Sequence, residues 1–325
     1  MKQILTFQSF LKQELEDFLA LRKSQGHVAE KEKYIYITLD RYLLDMQYYD
    51  RNLAPDIVEG WLSSLPEEMN INTKIVYISH YAQFAKYLAN LGYKAFIPER
   101  PVADKHYTPY LFTEEELHAL VKGADDTLAS INTNGQHGAA CFTIILRMLI
   151  GCGFRLNEVL SLKTVDVDFV NAVVYVKSAK GNKDRIVPMH HSMVEILKCY
   201  VNSGIPKKTG LFFPSKKGNV FSQTTSRFYF NKYLTHAEIQ KPALGKYERN
   251  ICIHCLRHTF AVAAFRKLDL NGKDMYDEVP ILSTYMGHDR IYGTEKYLHM
   301  TAENSADILA CMEKFNEGLF PEVDE

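Results

Sequence analysis

Two arginines, three histidines, a lysine and a tyrosine stand at spacings that could handle a phosphate. Gly153-Phe154-Arg155-Leu156-Asn157-Glu158 puts an arginine where a glycine turn enters a helix. There a guanidinium and unpaired backbone N–H groups can take a phosphate in a bidentate contact. His254-Cys255-Leu256-Arg257-His258 sets His254 and Arg257 three residues apart, on one helical face. That pairs a proton-transfer group with a fixed cation. Lys180-Gly181-Asn182-Lys183 lies between two β-rich runs and reads as the tip of a hairpin. Gly287-His288 is followed nine residues later by Tyr297. Taken singly, each has an ordinary reading. Arg155 could be a surface arginine paired with Glu158, and a helical histidine is usually structural.

Several other chemistries are excluded. The chain has no Walker loop, no GxGxxG after a strand, no HExxH and no GxSxG. Cys252-Ile253-His254-Cys255 has CxxC spacing, but no second CxxC or HxxxH supplies four zinc ligands. The region is basic and helical in pattern, unlike the strand-to-helix setting of a thioredoxin-like redox pair. No metal and no cofactor is expected. The 6 cysteines make no disulfide framework in a chain of 325 residues and are expected to be reduced. The most apolar run, residues 139–151, is interrupted by Arg147 and is shorter than the ~20 residues of a membrane span. The first residues lead into no secretory pattern, so a cytoplasmic protein is expected.

Net charge is −1, which alone argues against a polyanionic partner. The distribution argues the other way. Residues 177–257 hold 15 Lys and Arg against 4 Asp and Glu, whereas residues 301–325 hold 1 against 7. A surface so biased attracts phosphate backbones, or is merely a solvated basic face.

These residues need elements to position them. The first hundred residues read as helices. Phe7, Phe10, Leu11, Leu15, Phe18 and Leu19 form one amphipathic stripe; Ile35, Leu39, Tyr42, Leu43 and Met46 form another. Pro55 opens a short helix carrying Trp61, and a longer one runs from about Thr73 to a cap at Gly92. The aromatics here are expected in the core. Pro98, Pro101 and Pro109 mark a linker over residues 97–109. Beyond it, Thr113 caps an acidic helix start. An apolar helix over residues 139–149 breaks at Gly151-Cys152-Gly153, and a short one covers residues 156–162. Strands at residues 173–176 and 186–188 flank the hairpin turn, and helices follow. Ala302, Ala306, Ile308, Leu309, Met312 and Phe315 make a last amphipathic helix. The fold class is mostly α with a small β-sheet: a helical domain at 1–96, a linker at 97–109 and an α+β domain at 110–325.

In combination, these motifs resemble the tyrosine recombinase (phage integrase) family. That family shows G-x-R-x-x-E, then a hairpin K-G-x-K-x-R, then H-x-x-R, then G-H and a tyrosine nine residues on. All four stand here in order, ending in Gly287-His288 and Tyr297. The resemblance covers residues 107–300 firmly. It implies a helical, SAM-like core-binding domain and a catalytic domain forming a C-shaped clamp on duplex DNA. It implies site-specific cutting and rejoining through a 3′-phosphotyrosine, without metal or ATP, for integration, excision, inversion or resolution. In the roles it implies, Tyr297 is the nucleophile. Arg155 and Arg257 hold the non-bridging oxygens. Lys180 protonates the leaving 5′-oxygen, although Lys177 and Lys183 flank it. His254 is the acid–base group and His288 bonds the phosphate. Only the spacing prefers Tyr297 over Tyr285 and Tyr292. Glu158 is expected to orient Arg155, and His258 to be packed.

The implied partners are double-stranded DNA with inverted half-sites, copies of the chain assembling from dimer to tetramer, and an accessory directionality protein. No membrane is implied, and the setting would be bacterial and nucleoid-associated. The last helix would dock on a neighbouring copy, or fold back on its own domain. Two other readings use similar residues: a type IB topoisomerase that relaxes DNA, and a non-catalytic DNA-binding regulator.

Overall fold

The computed structural model describes residues 6–26, 29–103, 109–130, 133–177, 184–206, 210–240, 250–270 and 275–287. The chain divides into two compact units; the first takes the described residues up to 103 and the second the described residues from 109.

The first unit has four helices: α1 (Lys12–Ser24), α2 (Ala29–Asp45), α3 (Pro55–Ser64) and α4 (Ile71–Asn90). Each apolar stripe turns mostly inward, although Phe10 and Met46 are exposed. Leu11, Leu15 and Phe18 meet Tyr36, Leu39 and Leu43, and Trp61, Tyr81, Phe84 and Leu88 close the core. Burying the aromatics leaves polar tips that need partners. The Trp61 indole donates to Thr38 Oγ1 at 3.2 Å, and the Tyr36 and Tyr81 hydroxyls donate to the carbonyls of His80 and Phe96 at 2.9 Å. Pro55 takes the first helical position, where its missing N–H costs nothing. Gly92 ends α4 in the left-handed region at φ 88°, and Tyr93 N–H returns to Leu88 O at 3.0 Å. Most aromatics here are core, as expected, although Tyr34 and Tyr49 are exposed.

The second unit opens with α5 (Glu114–Ser130). Thr113 and Glu116 cap it reciprocally: Thr113 N–H donates to Glu116 Oε2 at 2.9 Å, and Glu116 N–H to Thr113 Oγ1 at 3.2 Å. Helix α6 (Thr133–Cys152) is the centre of the core, with Phe142, Ile145, Leu146 and Leu149 fully buried. It does not break at Gly151, as the sequence reading expects. A helical glycine costs only about 1 kcal/mol, and burial of Ile150 and Cys152 on either side offsets it. The helix ends at Gly153, which alone of the three residues takes a positive φ, 63°.

Helix α7 (Leu156–Leu160) is shorter than the expected 156–162. Past it the chain is pulled out of helix by Leu211 and Phe212: Lys163 bridges Leu211, and Phe212 N–H donates to Leu162 O at 2.7 Å. A three-stranded antiparallel sheet follows in the order β1 (Val167–Asp168), β2 (Val173–Val176), β3 (Arg185–Pro188). The register pairs Val174 with Val187 and Val176 with Arg185. Strand β1 has only two residues, too few for alternation to reveal it. The expected turn at Lys180-Gly181-Asn182-Lys183 lies outside the described residues. Helices α8 (His191–Asn202), α9 (Gln223–His236), α10 (Ile253–Leu270) and α11 (Met275–Met286) complete the unit. The expected helix through Ala302 and Phe315 also lies outside the described residues. Among the described residues, no helix is long and apolar enough to cross a membrane.

Candidate active site

The turn after α6 is shaped for a glycine on two counts. Gly153 is left-handed, and a Cβ there would stand 2.3 Å from Cδ1 of the Phe260 ring. Phe154 is then buried, which fixes the next residue, Arg155, in extended conformation at the head of α7. Glu158, one turn on, accepts from the Arg155 N–H at 2.9 Å and from its Nη1 at 2.8 Å. This is the orienting contact the sequence suggests.

Glu158 has a second partner that sequence reasoning missed. Arg185, the first residue of β3, donates from both Nη atoms to both Glu158 oxygens, at 2.9 and 2.7 Å. The side chains of Glu158 and Arg185 are 6% and 7% exposed, and that of Arg155 is 21% exposed. Burial by itself would push the Glu158 carboxyl up. The hydrogen bonds and charge of Arg185, with the Arg155 amide and guanidinium, overcome it and hold the group at about 2. One carboxylate thus pairs with two guanidinium groups, which leaves a net positive charge and Arg155 the more accessible of the two. The hairpin motif contains Arg185, but strand alternation alone does not tell which face is covered.

That low value predicts an acid-sensitive stability. A carboxyl at about 2 in the folded chain and near its ordinary 4.5 unfolded stabilises fully above pH 4.5. As pH falls toward 2, the unfolded chain takes up the proton first and the contribution is lost. Urea melts between pH 6 and pH 2.5 should show this slope in the wild type and a flatter one in Glu158→Gln. Equal slopes would refute the assignment.

Helix α10 brings the second motif to the same place. Arg257 is 2% exposed. Its Nη1 donates to Gly153 O at 2.7 Å and its Nη2 to Met286 O. Arg155 Nη2 donates to the next carbonyl, Gly287 O, at 2.6 Å. A helix C-terminus leaves its last carbonyls without intrahelical partners and partly negative, so guanidinium donors bind them well. Gly287 is left-handed at φ 62°, and a Cβ there would stand 2.9 Å from Arg185 Nη1. Three arginines from α7, β3 and α10 therefore meet at the end of α11, on the residues just before His288. His254 shares the first turn of α10 with Arg257 but is exposed. His258 is buried, edge-on to His254 with ring centroids 4.6 Å apart.

The structure thus unites Arg155 and Arg257 and puts His254 on the second one's helix. Lys180, His288 and Tyr297 lie outside the described residues. Two competitors are tied elsewhere. Lys177 Nζ donates to Asp166 Oδ1 at 2.6 Å, and this hydrogen bond raises its pKa, which makes it a poorer acid. Tyr285 stacks on Phe260 at 5.7 Å and donates to Cys152 O at 3.2 Å; burial raises its pKa. It is half-buried against the core and poorly placed to become a nucleophile.

Fixed guanidinium groups at a helix end, on an α+β domain with a basic segment, have the chemistry that suits a phosphodiester. Residues 111–304 match the model of the phage integrase family. A tyrosine recombinase of Agathobacter rectalis is 27% identical over 292 residues, 84% of this chain and 89% of that protein. Another, of Thermosipho africanus, is 28% identical over 248 residues, 74% and 75% of the two chains. The XerH site-specific recombinase, solved in a pre-cleavage complex with difH substrate, shares the fold at a TM-score of 0.63 and 20% identity, over 84% of this chain and 77% of that one. The chain belongs to the phage integrase family and is a tyrosine-type site-specific DNA recombinase.

Proposed function

We propose that Tyr297 attacks a DNA phosphodiester held by Arg155 and Arg257. The observation that carries this reading is the meeting of both guanidinium groups on the consecutive carbonyls of Met286 and Gly287, eleven and ten residues before the tyrosine. The tyrosine oxygen bonds to phosphorus as the bond to the 5′-oxygen breaks. His254 takes the tyrosine proton, Lys180 gives one to the leaving 5′-oxygen, and His288 bonds a non-bridging oxygen. Excess negative charge in the transition state falls where the two guanidinium groups stand. The bond energy stays in the 3′-phosphotyrosine, so a second 5′-hydroxyl reverses the step.

In this reading residues 1–96 form a DNA-binding core domain, 97–109 a linker and 110–325 the catalytic domain. Contacts to phosphates give steep salt dependence. Two protomers take inverted half-sites, and two such pairs form the synapse, with an accessory protein setting direction. The job is integration, excision, inversion or resolution, on a mobile element's DNA in the bacterial nucleoid.

The test is covalent capture in cells. Tagged protein is released in hot detergent, and its attached DNA is sequenced. Discrete sites bearing an inverted repeat, on a peptide containing Tyr297, are expected. Scattered adducts would replace the recombinase reading with a relaxing enzyme. DNA attached to another tyrosine would overturn the assignment of the nucleophile.

A further inference from the structure

The CxxC pair is not used by this reaction, yet the fold sets it at the reaction's edge. Cys252 is the residue before α10, and Cys255 lies in its first turn. Their sulfurs are 3.7 Å apart, and Cys252 N–H donates to Cys255 Sγ at 3.4 Å. Both are reduced. Cys252 is exposed, whereas Cys255 is fully buried in the domain core. Between them stand Ile253 and His254. A CxxC pair at a helix start can close within one turn, and the hydrogen bond with Cys252 together with burial pushes the Cys255 thiol up, so the exposed Cys252 attacks first.

We propose that Cys252 and Cys255 are a modification site: they exchange with a small-molecule disulfide to form a reversible intramolecular bond that slows DNA cleavage by moving His254. The exposed Cys252 thiolate attacks one sulfur of glutathione disulfide and expels glutathione as thiolate, leaving a mixed disulfide. Cys255 then loses its proton and attacks the Cys252 sulfur, expelling the second glutathione. Two thiols and one disulfide become one protein disulfide and two thiols, so the electrons balance. A disulfide needs its sulfurs about 2 Å apart. Cys255 is packed in the core, so the movement falls on Cys252, and Ile253 and His254 move with it. A displacement on the order of 1 Å at a reacting group costs about 10²-fold in rate. The effect on cleavage rests on the proposed role of His254; the formation of the bond does not.

The experiment incubates the reduced full-length protein with graded glutathione disulfide and maps the cysteines by alkylation and mass spectrometry. Cleavage of a captured site is measured in parallel, before and after dithiothreitol. A Cys252–Cys255 cross-link, a cleavage loss of roughly 10- to 100-fold and recovery on reduction are expected. Cys252→Ser should cut normally and ignore the oxidant. A stable glutathione adduct on Cys252 without the cross-link would overturn the proposal. So would equal inhibition of Cys252→Ser, which would point to another cysteine, such as the exposed Cys199. If the reduced protein binds DNA without cutting it, the catalytic reading fails and takes the regulatory half with it; the mass measurement still decides whether the bond forms.

Discussion

The Tyr297→Phe protein should bind DNA as tightly as the wild type and form no covalent adduct. Phenylalanine keeps the ring and removes the only atom that can bond phosphorus, so cleavage should fall below detection. The informative comparison is with the neighbouring tyrosines. Tyr285→Phe removes a hydroxyl committed to Cys152 O. It should lose about 1 kcal/mol of stability and keep its adduct. Tyr292→Phe should also keep it. Binding and adduct formation are read separately, by filter retention at low salt and by denaturing gel with labelled DNA. An undiminished adduct from Tyr297→Phe would remove the nucleophile from this account.

Arg257→Ala should slow the first strand cleavage by on the order of 10²–10³-fold, the usual cost of deleting one fixed donor to a developing oxyanion. Arg257 also ties Gly153 O to Met286 O from a fully buried position. Alanine therefore leaves two carbonyls short of a charged donor and weakens the turn that carries Arg155. Arg257→Lys separates the two effects. It keeps the charge and the bulk but cannot bond two carbonyls in a planar fork. It should fold near the wild-type melting temperature and still cut slowly, with DNA affinity little changed. The measurement is single-turnover cleavage at saturating protein. A folded Arg257→Lys that cuts within a few-fold of wild type would show that the guanidinium geometry is dispensable.

Much of this is legible in the sequence alone. Helical stripes predict α1 to α4 because their apolar residues recur at three and four. The strands around residues 173–176 and 186–188 follow from their β-branched runs and the Gly-Asn between them. Failures came where neighbours distant in sequence decide. The extent of α6 through Gly151 depends on what packs around it. The end of α7 depends on Leu211 and Phe212, some fifty residues away.

The order and spacing of Arg155, Lys180, His254, Arg257, His288 and Tyr297 carry the resemblance to the phage integrase family, whose model matches residues 111–304. Spacing along a chain cannot say which charge faces which. Only the tertiary structure showed that Glu158 is shared by Arg155 and Arg185, that Arg257 is buried against Gly153 and Met286, and that Lys177 and Tyr285 are tied elsewhere. Those facts depend on burial and on direction at close range. Charged and polar groups taken from water must find partners, and folding chooses the partners from anywhere in the chain.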